Sequence, residues 1–449
     1  LSKSISAALA TFAAAFAIAL GSAAFAQPAP SPSPAAAPSG APKATASAAP
    51  SAAATASPSP APTKLIVITG SGDAGYTHVF NSTTARFVNG NPARIFDAST
   101  GPFFDANGGR QLSTPTNFVN SLDLQNANLQ FTLNGPIGAK IETSFGTDAD
   151  VIASNGQSRS GFNVTQAYLQ GAYGPVTIIA GKFSTFAGAE VIEAPGNSNY
   201  SRSFLFGLAI PFTHTGVRLS YAPISKVTIN AGLNNGWDDW KFAGKKKTIE
   251  GNVTLNPSPG YSLSLTTYNG NDFAVSGNSA AAFAPVYTNR MLYDGVLTLH
   301  PTSALTLIAN YDNGTQLADS GAAFPTAAHW NGIAGYANYQ ISSLYGVSLR
   351  KETFHDINGF RTGVVGFSNV VLPGLVPTLS LNGPRLQSNT ATFNYTPNGN
   401  YIFRAEYRAD AADQPIFTYN GVLPTNGFGA TVGRQSQSTF GLEAVVKFP

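Results

Sequence analysis

Tyr401-Ile-Phe-Arg-Ala-Glu-Tyr-Arg408 places Tyr401, Phe403, Ala405 and Tyr407 on one face of an extended chain and Arg404, Glu406 and Arg408 on the other. Phe440-Gly-Leu-Glu-Ala-Val-Val-Lys-Phe448 repeats the pattern, with Phe440, Leu442, Ala444, Val446 and Phe448 facing one way. From about residue 122 onward, similar stretches end by turns in a tight connector and a long polar loop. Soluble sandwiches alternate too, but usually on strands of about five or six residues whose oily faces meet each other. Long strands joined short-then-long fit an all-β, transmembrane antiparallel barrel with lipid outside and water inside.

Sixteen strands are expected, at 65–79, 122–134, 137–149, 163–173, 175–187, 212–222, 225–236, 246–256, 260–270, 289–301, 303–313, 329–341, 343–355, 387–397, 399–411 and 436–448. The tight connectors carry turn residues, as in Asn134-Gly-Pro136, Gly174 and Pro301-Thr302. Short and long connections alternate as an even-stranded barrel requires. A further hairpin within 361–384, around Pro373, would make eighteen strands, and that count stays open here.

Composition agrees. Charged residues are 10% of the chain, against roughly 25% in soluble domains, yet after residue 26 nothing has the length and apolar density of a membrane helix. Residues 1–26 read as a signal peptide: Lys3, an apolar core from Ile5 to Leu20, and Ala24-Phe25-Ala26 before the cut. Residues 27–63 are almost entirely Ala, Pro, Ser and Thr and read as a disordered periplasmic linker ahead of a barrel over 64–449. There is no cysteine, which excludes disulfides and thiolate metal sites.

Alternation also selects an inward face. Lys140, Glu142, Lys182, Arg218, Arg350, Glu352, Arg404, Glu406 and Arg408 are expected to line the pore, since an Arg or Lys facing mid-membrane lipid costs roughly 2–4 kcal/mol. Bases outnumber acids in that set, so a mild anion preference is expected. Sixteen strands enclose more width than a selective pore leaves open. One long loop should therefore fold inward, from among 80–121, 188–211, 356–386 and 412–435. Residues 188–211 are chosen because Glu190, Glu193 and Arg202 concentrate there among small and polar residues, with His214 just beyond. The expectation is acidic and basic groups facing each other across a narrow gap.

Other motifs carry less. Gly70-Ser-Gly-Asp-Ala-Gly75 follows an apolar strand like a dinucleotide fingerprint, but no helix pattern follows to hold a pyrophosphate. Five scattered histidines show no metal-ligand spacing, and no cofactor or metal is expected. A hydrolase would need a dyad such as His214 with Thr215, and no nucleophile elbow accompanies it. The net charge of +3 is too small to indicate nucleic acid.

At Ala180-Gly-Lys-Phe-Ser-Thr-Phe-Ala-Gly-Ala-Glu190, Asn197, Asn199-Tyr-Ser-Arg-Ser203 and Pro211-Phe-Thr-His-Thr-Gly-Val-Arg218 the chain resembles the OmpL-like β-barrel porins. Gly70-Ser-Gly-Asp-Ala-Gly-Tyr76 and Gln166-Ala-Tyr168 are similar to that group's first and fourth strands. The resemblance implies a passive channel rather than an enzyme, and a neighbourhood shared by Lys182, Glu190, Arg202, His214 and Arg218. The expected function is diffusion of small hydrophilic solutes or ions across a bacterial outer membrane. A barrel plugged by its own loops and linked to the cell wall is the alternative. Expected partners are outer-membrane lipid and lipopolysaccharide, the solutes themselves, and a second copy of the chain in a homo-oligomer.

Overall fold

The computed structural model describes residues 66–80, 122–155, 157, 160–241, 246–274, 286–317, 327–362, 383–413 and 435–448. The expected signal peptide and linker lie outside them, as do most of the 361–384 region and most of the loop candidates 80–121 and 412–435. Sixteen strands run as β1 (Ile66–Val79), β2 (Leu122–Leu133), β3 (Ile137–Phe145), β4 (Phe162–Tyr173), β5 (Val176–Ser184), β6 (Thr213–Ile224), β7 (Val227–Asn234) and β8 (Thr248–Ser258). They continue as β9 (Tyr261–Ala274), β10 (Val286–Leu299), β11 (Leu305–Gln316), β12 (Ala328–Gln340), β13 (Tyr345–Asp356), β14 (Arg385–Asn398), β15 (Tyr401–Ala412) and β16 (Ser436–Phe448). Each pairs antiparallel with its sequence neighbours, and β1 pairs with β16 to close the barrel.

Register makes the two faces explicit. On β15, Tyr401, Phe403 and Tyr407 are exposed, whereas Arg404, Glu406 and Arg408 are buried. The outward row repeats around the wall in Leu129, Ile141, Val217, Leu265 and Leu349. Gly70 to Gly75 lie within β1, in register with β2 and β16, so the glycine-rich run is wall and not a phosphate loop.

Two expected strands end three or more residues early. β3 stops at Phe145 rather than running to 149, because Gly146 takes a φ of +119° and the chain turns into a short helix, α1 (Thr147–Val151). Asp148 and Asp150 in its first turn suit the helix N-terminus, and Asp150 accepts the Gly161 N–H at 2.7 Å. β5 stops at Ser184 rather than 187, and there the chain leaves the wall for the lumen.

Candidate functional site

The departure from β5 is fixed residue by residue. Thr185 Oγ1 lies 2.9 Å from the Tyr268 hydroxyl of β9, which also accepts the Phe186 N–H. Gly188 then adopts a φ of +91°, and a Cβ there would meet Ile210 Cδ1 at 2.6 Å, so only glycine makes this bend beside the returning strand of the loop. Its N–H donates to Asp294 of β10, and the Ala189 N–H donates to Asn310 of β11.

From there the wall holds the loop by its backbone. Glu406 of β15 accepts the N–H groups of Tyr200 (2.8 Å) and Ser201 (3.0 Å). Glu352 of β13 accepts the Phe204 N–H at 2.6 Å. Arg350 donates to the carbonyl of Ser201 at 2.6 Å, and Arg408 to that of Arg202 at 2.6 Å. Arg404 donates to the carbonyls of Ala194 and Asn197 while pairing with Glu443 of β16. Glutamates thus take the amides and arginines the carbonyls. Charge-assisted hydrogen bonds of this kind are the stronger class, and they are stronger still away from water.

Tyr200 carries the loop across to the closure seam. A Cβ on Gly75 of β1 would meet its hydroxyl at 2.7 Å, and one on Gly441 of β16 would meet its ring at 2.5 Å. These two glycines make the notch in which the ring sits. Its hydroxyl reaches Thr77 of β1 at 2.9 Å and accepts from Gln125 of β2.

The second half of the loop is apolar. Residues Leu205–Ala209 form a π-helical turn, and Phe204 to Phe212 pack against Trp237, Tyr268, Leu292, Ile308, Trp330 and Phe354. Trp330 is fully buried and donates its indole N–H to the Ala209 carbonyl at 3.1 Å. The barrel therefore holds a hydrophobic core inside its wall. Asp238, with a φ of +54°, accepts the N–H groups of Phe212 and Thr213 and so pins the loop's return. Burial nonetheless pushes its carboxyl up to about 6. In the loop itself, burial and then the facing Glu142 carboxylate raise Glu193 well above the usual range.

These positions sort the expected pore-lining set. Lys140, Glu142, Arg218, Arg350, Glu352, Arg404, Glu406 and Arg408 all lie on the inward face, but only Lys140 is appreciably exposed. The others are covered, most by the inserted loop. Lys182 is a correction: it is in register with Ala167 and Thr215, on the face of Ile178 and Ala180, and is covered there by the β3–β4 connection. Its ammonium donates to Gln157 and to the Val164 carbonyl. The Arg202 guanidinium ties the loop to itself through the carbonyls of Val191, Ile192 and Tyr200. Glu190 is likewise taken, by Arg350 at 2.7 Å and by Ser203.

The neighbourhood implied by resemblance is therefore divided among different partners. Arg218 pairs with Glu250 of β8 between the rings of Phe183 and Phe186. His214 stacks on Tyr268 and binds the Gly236 carbonyl, while Thr215, its neighbour on the strand, points the other way, so the two make no dyad. Among the described residues the inward face also carries Asp73, Glu250, Asp272, Asp294, Asp312, Asp356, Asp410 and Glu443, which the sequence reading left out. Arg290 of β10 is the main added base. Acids outnumber bases on this face, reversing the expected balance.

Residues 66–448 match the family described as "Putative beta-barrel porin-2, OmpL-like". The chain belongs to that porin family. Its barrel is similar to solved outer-membrane porins. OmpT of Vibrio cholerae shares 10% identity at a TM-score of 0.51, over 85% of this chain and 97% of that one. An anion-selective porin from Comamonas acidovorans shares 12% identity at a TM-score of 0.51, over 85% and 99%. A trimer form of in-vitro folded OmpT matches at 10% identity and 0.50, over 85% and 99%. At these identities the likeness is one of fold. No curated protein matches the sequence.

Proposed function

We propose that this porin-family barrel resides in a bacterial outer membrane and lets small hydrophilic solutes or ions diffuse passively through a lumen narrowed by residues 185–212. The observation that carries the reading is the clamp. Seven charged and polar wall positions on β10 to β15 bind the loop's backbone, which fixes a constriction rather than leaving a mobile flap. The remaining wall offers uncharged polar groups such as Asn230, Asn252, Thr254 and Ser264. With acids in excess, the preference is mildly for cations. Reversal potentials in a salt gradient test this, and a clear anion preference refutes it. Self-association into a homo-oligomer belongs to the same reading.

A second reading has its own observation. The apolar core formed by Phe204 to Phe212 with Trp237 and Trp330 occupies lumen that water would otherwise fill, which favours a plugged, structural barrel. Single-channel recording in planar bilayers separates the two. Ohmic steps from the folded protein support the porin reading, and a folded, inserted but silent protein supports the plug.

A further inference from the structure

The outer surface of the barrel is not uniform. On β2 to β4 the lipid-facing residues stay apolar up to the long-connection end, with Leu122, Leu124, Phe145 and Phe162 all exposed. On β13 and β14 the apolar row stops at Leu349 and Ala391. Above it the same outward face carries Lys351 and His355 on β13, and Asn389, Gln387 and Arg385 on β14. Lys351 sits directly across from Asn389, and His355 across from Arg385. Lys351 and Arg385 are exposed, and the Arg385 guanidinium lies 3.5 Å from the His355 ring, two basic groups side by side.

Depth makes this unusual. Tyr345, Tyr395, Phe393 and Phe403 stack into an aromatic row at the tight-turn end, the place of a membrane-interface girdle. Lys351 is six residues beyond Tyr345, about 15 Å higher on a strand rising ~3.4 Å per residue at a tilt of about 40°. An apolar band is about 25 Å tall, so the ammonium starts well inside it. Among the described residues no carboxylate pairs with Lys351, and Asp413 accepts the Arg385 backbone N–H at 2.8 Å. A cation placed there is stabilised by snorkelling toward the interface and, more strongly, by an anionic headgroup that comes down to meet it.

We propose that the outward face of β13 and β14 is a binding site for the phosphorylated headgroup of an outer-leaflet lipid. Lys351 and Arg385 bind the phosphate, Gln387 and Asn389 bind neighbouring polar atoms, and the acyl chains lie on Leu349 and Phe393. The inference rests on the outer-membrane placement proposed above but not on conduction. The test is retention of purified bisphosphorylated lipid A, and of the same lipid with its phosphates removed, by the full-length protein in detergent, read by native mass spectrometry. Wild type should retain the phosphorylated lipid and not the other, and Lys351→Gln with Arg385→Gln should lower retention at least tenfold, the scale of a lost charge-assisted hydrogen bond. The single variants should each give part of that loss, and Lys226→Gln, at a tight turn, should give none. Equal retention by the double variant, or equal retention of both lipids, overturns the site. So does a double variant that keeps its lipid but changes oligomeric state, which would make this face a contact between copies. A silent channel that still shows phosphate-dependent retention sinks the porin reading and leaves the site standing.

Discussion

The two halves of the inserted loop are held by opposite means. Residues 188–204 are gripped through their backbone by charged wall side chains, whereas residues 204–212 are held by their own side chains in an apolar core. The first arrangement is directed mainly at peptide groups, with side chains such as Glu190, Asn199 and Tyr200 adding contacts of their own to the wall. The second constrains both partners by shape and volume. A polar grip also fails differently, because removing one partner strands a buried charge, while removing an apolar partner leaves a cavity.

Arg350→Ala should have the largest effect. It leaves Glu190 and Glu352 without their shared guanidinium and takes from the Ser201 carbonyl its Arg350 donor, a loss of about 3–5 kcal/mol by analogy with broken buried pairs. Hydrogen exchange should speed at the Tyr200 to Phe204 amides while the strand amides of β2 to β8 stay protected. Trp330→Ala should cost about 3–5 kcal/mol as well, but with exchange rising at 205–212 and not at Tyr200. If both variants loosen the same amides, the loop is one unit and the contrast fails.

Gly441→Ala isolates the seam. A methyl group 2.5 Å from the Tyr200 ring must displace it, at about 1–3 kcal/mol. The thermal midpoint should fall, and Tyr200→Ala in the same background should recover part of the loss.

Asp238 supplies a pH dependence. Its carboxyl is raised from 3.8 to about 6 by burial, so the folded state holds the proton more tightly than the unfolded chain does. The resulting stability is fully present below about pH 4 and is lost as pH rises through about 6, a change on the order of 2–3 kcal/mol. Asp238→Asn keeps an oxygen for the Phe212 and Thr213 N–H groups and should flatten melting temperature between pH 4 and 7. An unchanged slope would assign the dependence to other groups.

The smallest effect is expected at Asp294 and Asp312, which lie directly opposite each other on the inward faces of β10 and β11. The two carboxyls hydrogen-bond each other, and a cross-strand pair of this kind is worth roughly 0.2–1 kcal/mol. Asp312→Asn keeps an N–H donor facing Asp294 and should change the melting temperature only slightly, leaving the Gly188 contact to Asp294 intact.

The strand count and inward face of β15 and β16 were legible because their two faces differ nearly throughout, with Ile402 and Val445 the apolar residues on the inward side. β10 was harder to read, since apolar Leu292 and Val296 share the inward face with Arg290 and Asp294 while Tyr293 and Leu297 face outward. The reason is the apolar half of the loop, which no pattern local to β10 reveals. Lys182 carries a charge without marking the lumen, because it shares a face with Ile178 and Ala180. Residues 188–211 stand out in the sequence for Glu190, Glu193 and Arg202, and in the fold Glu190 meets Arg350 of the wall while Arg202 holds carbonyls of the loop. The wall binds mainly peptide groups, which every residue carries, so the clamp marks the loop's own sequence only at a few side chains such as Glu190, Asn199 and Ser201. Its mark is on the wall, in Arg350, Glu352, Arg404, Glu406 and Arg408.

The central claim is that these wall charges hold a loop which narrows the lumen. Single-channel conductance of wild type beside an Arg350→Gln, Arg404→Gln, Arg408→Gln variant, with barrel content matched by circular dichroism, tests it most directly. Release of the loop predicts conductance at least about twofold higher and noisier in the variant, as expected for a wide sixteen-stranded barrel. Equal, quiet conductance from both folded proteins would contradict it.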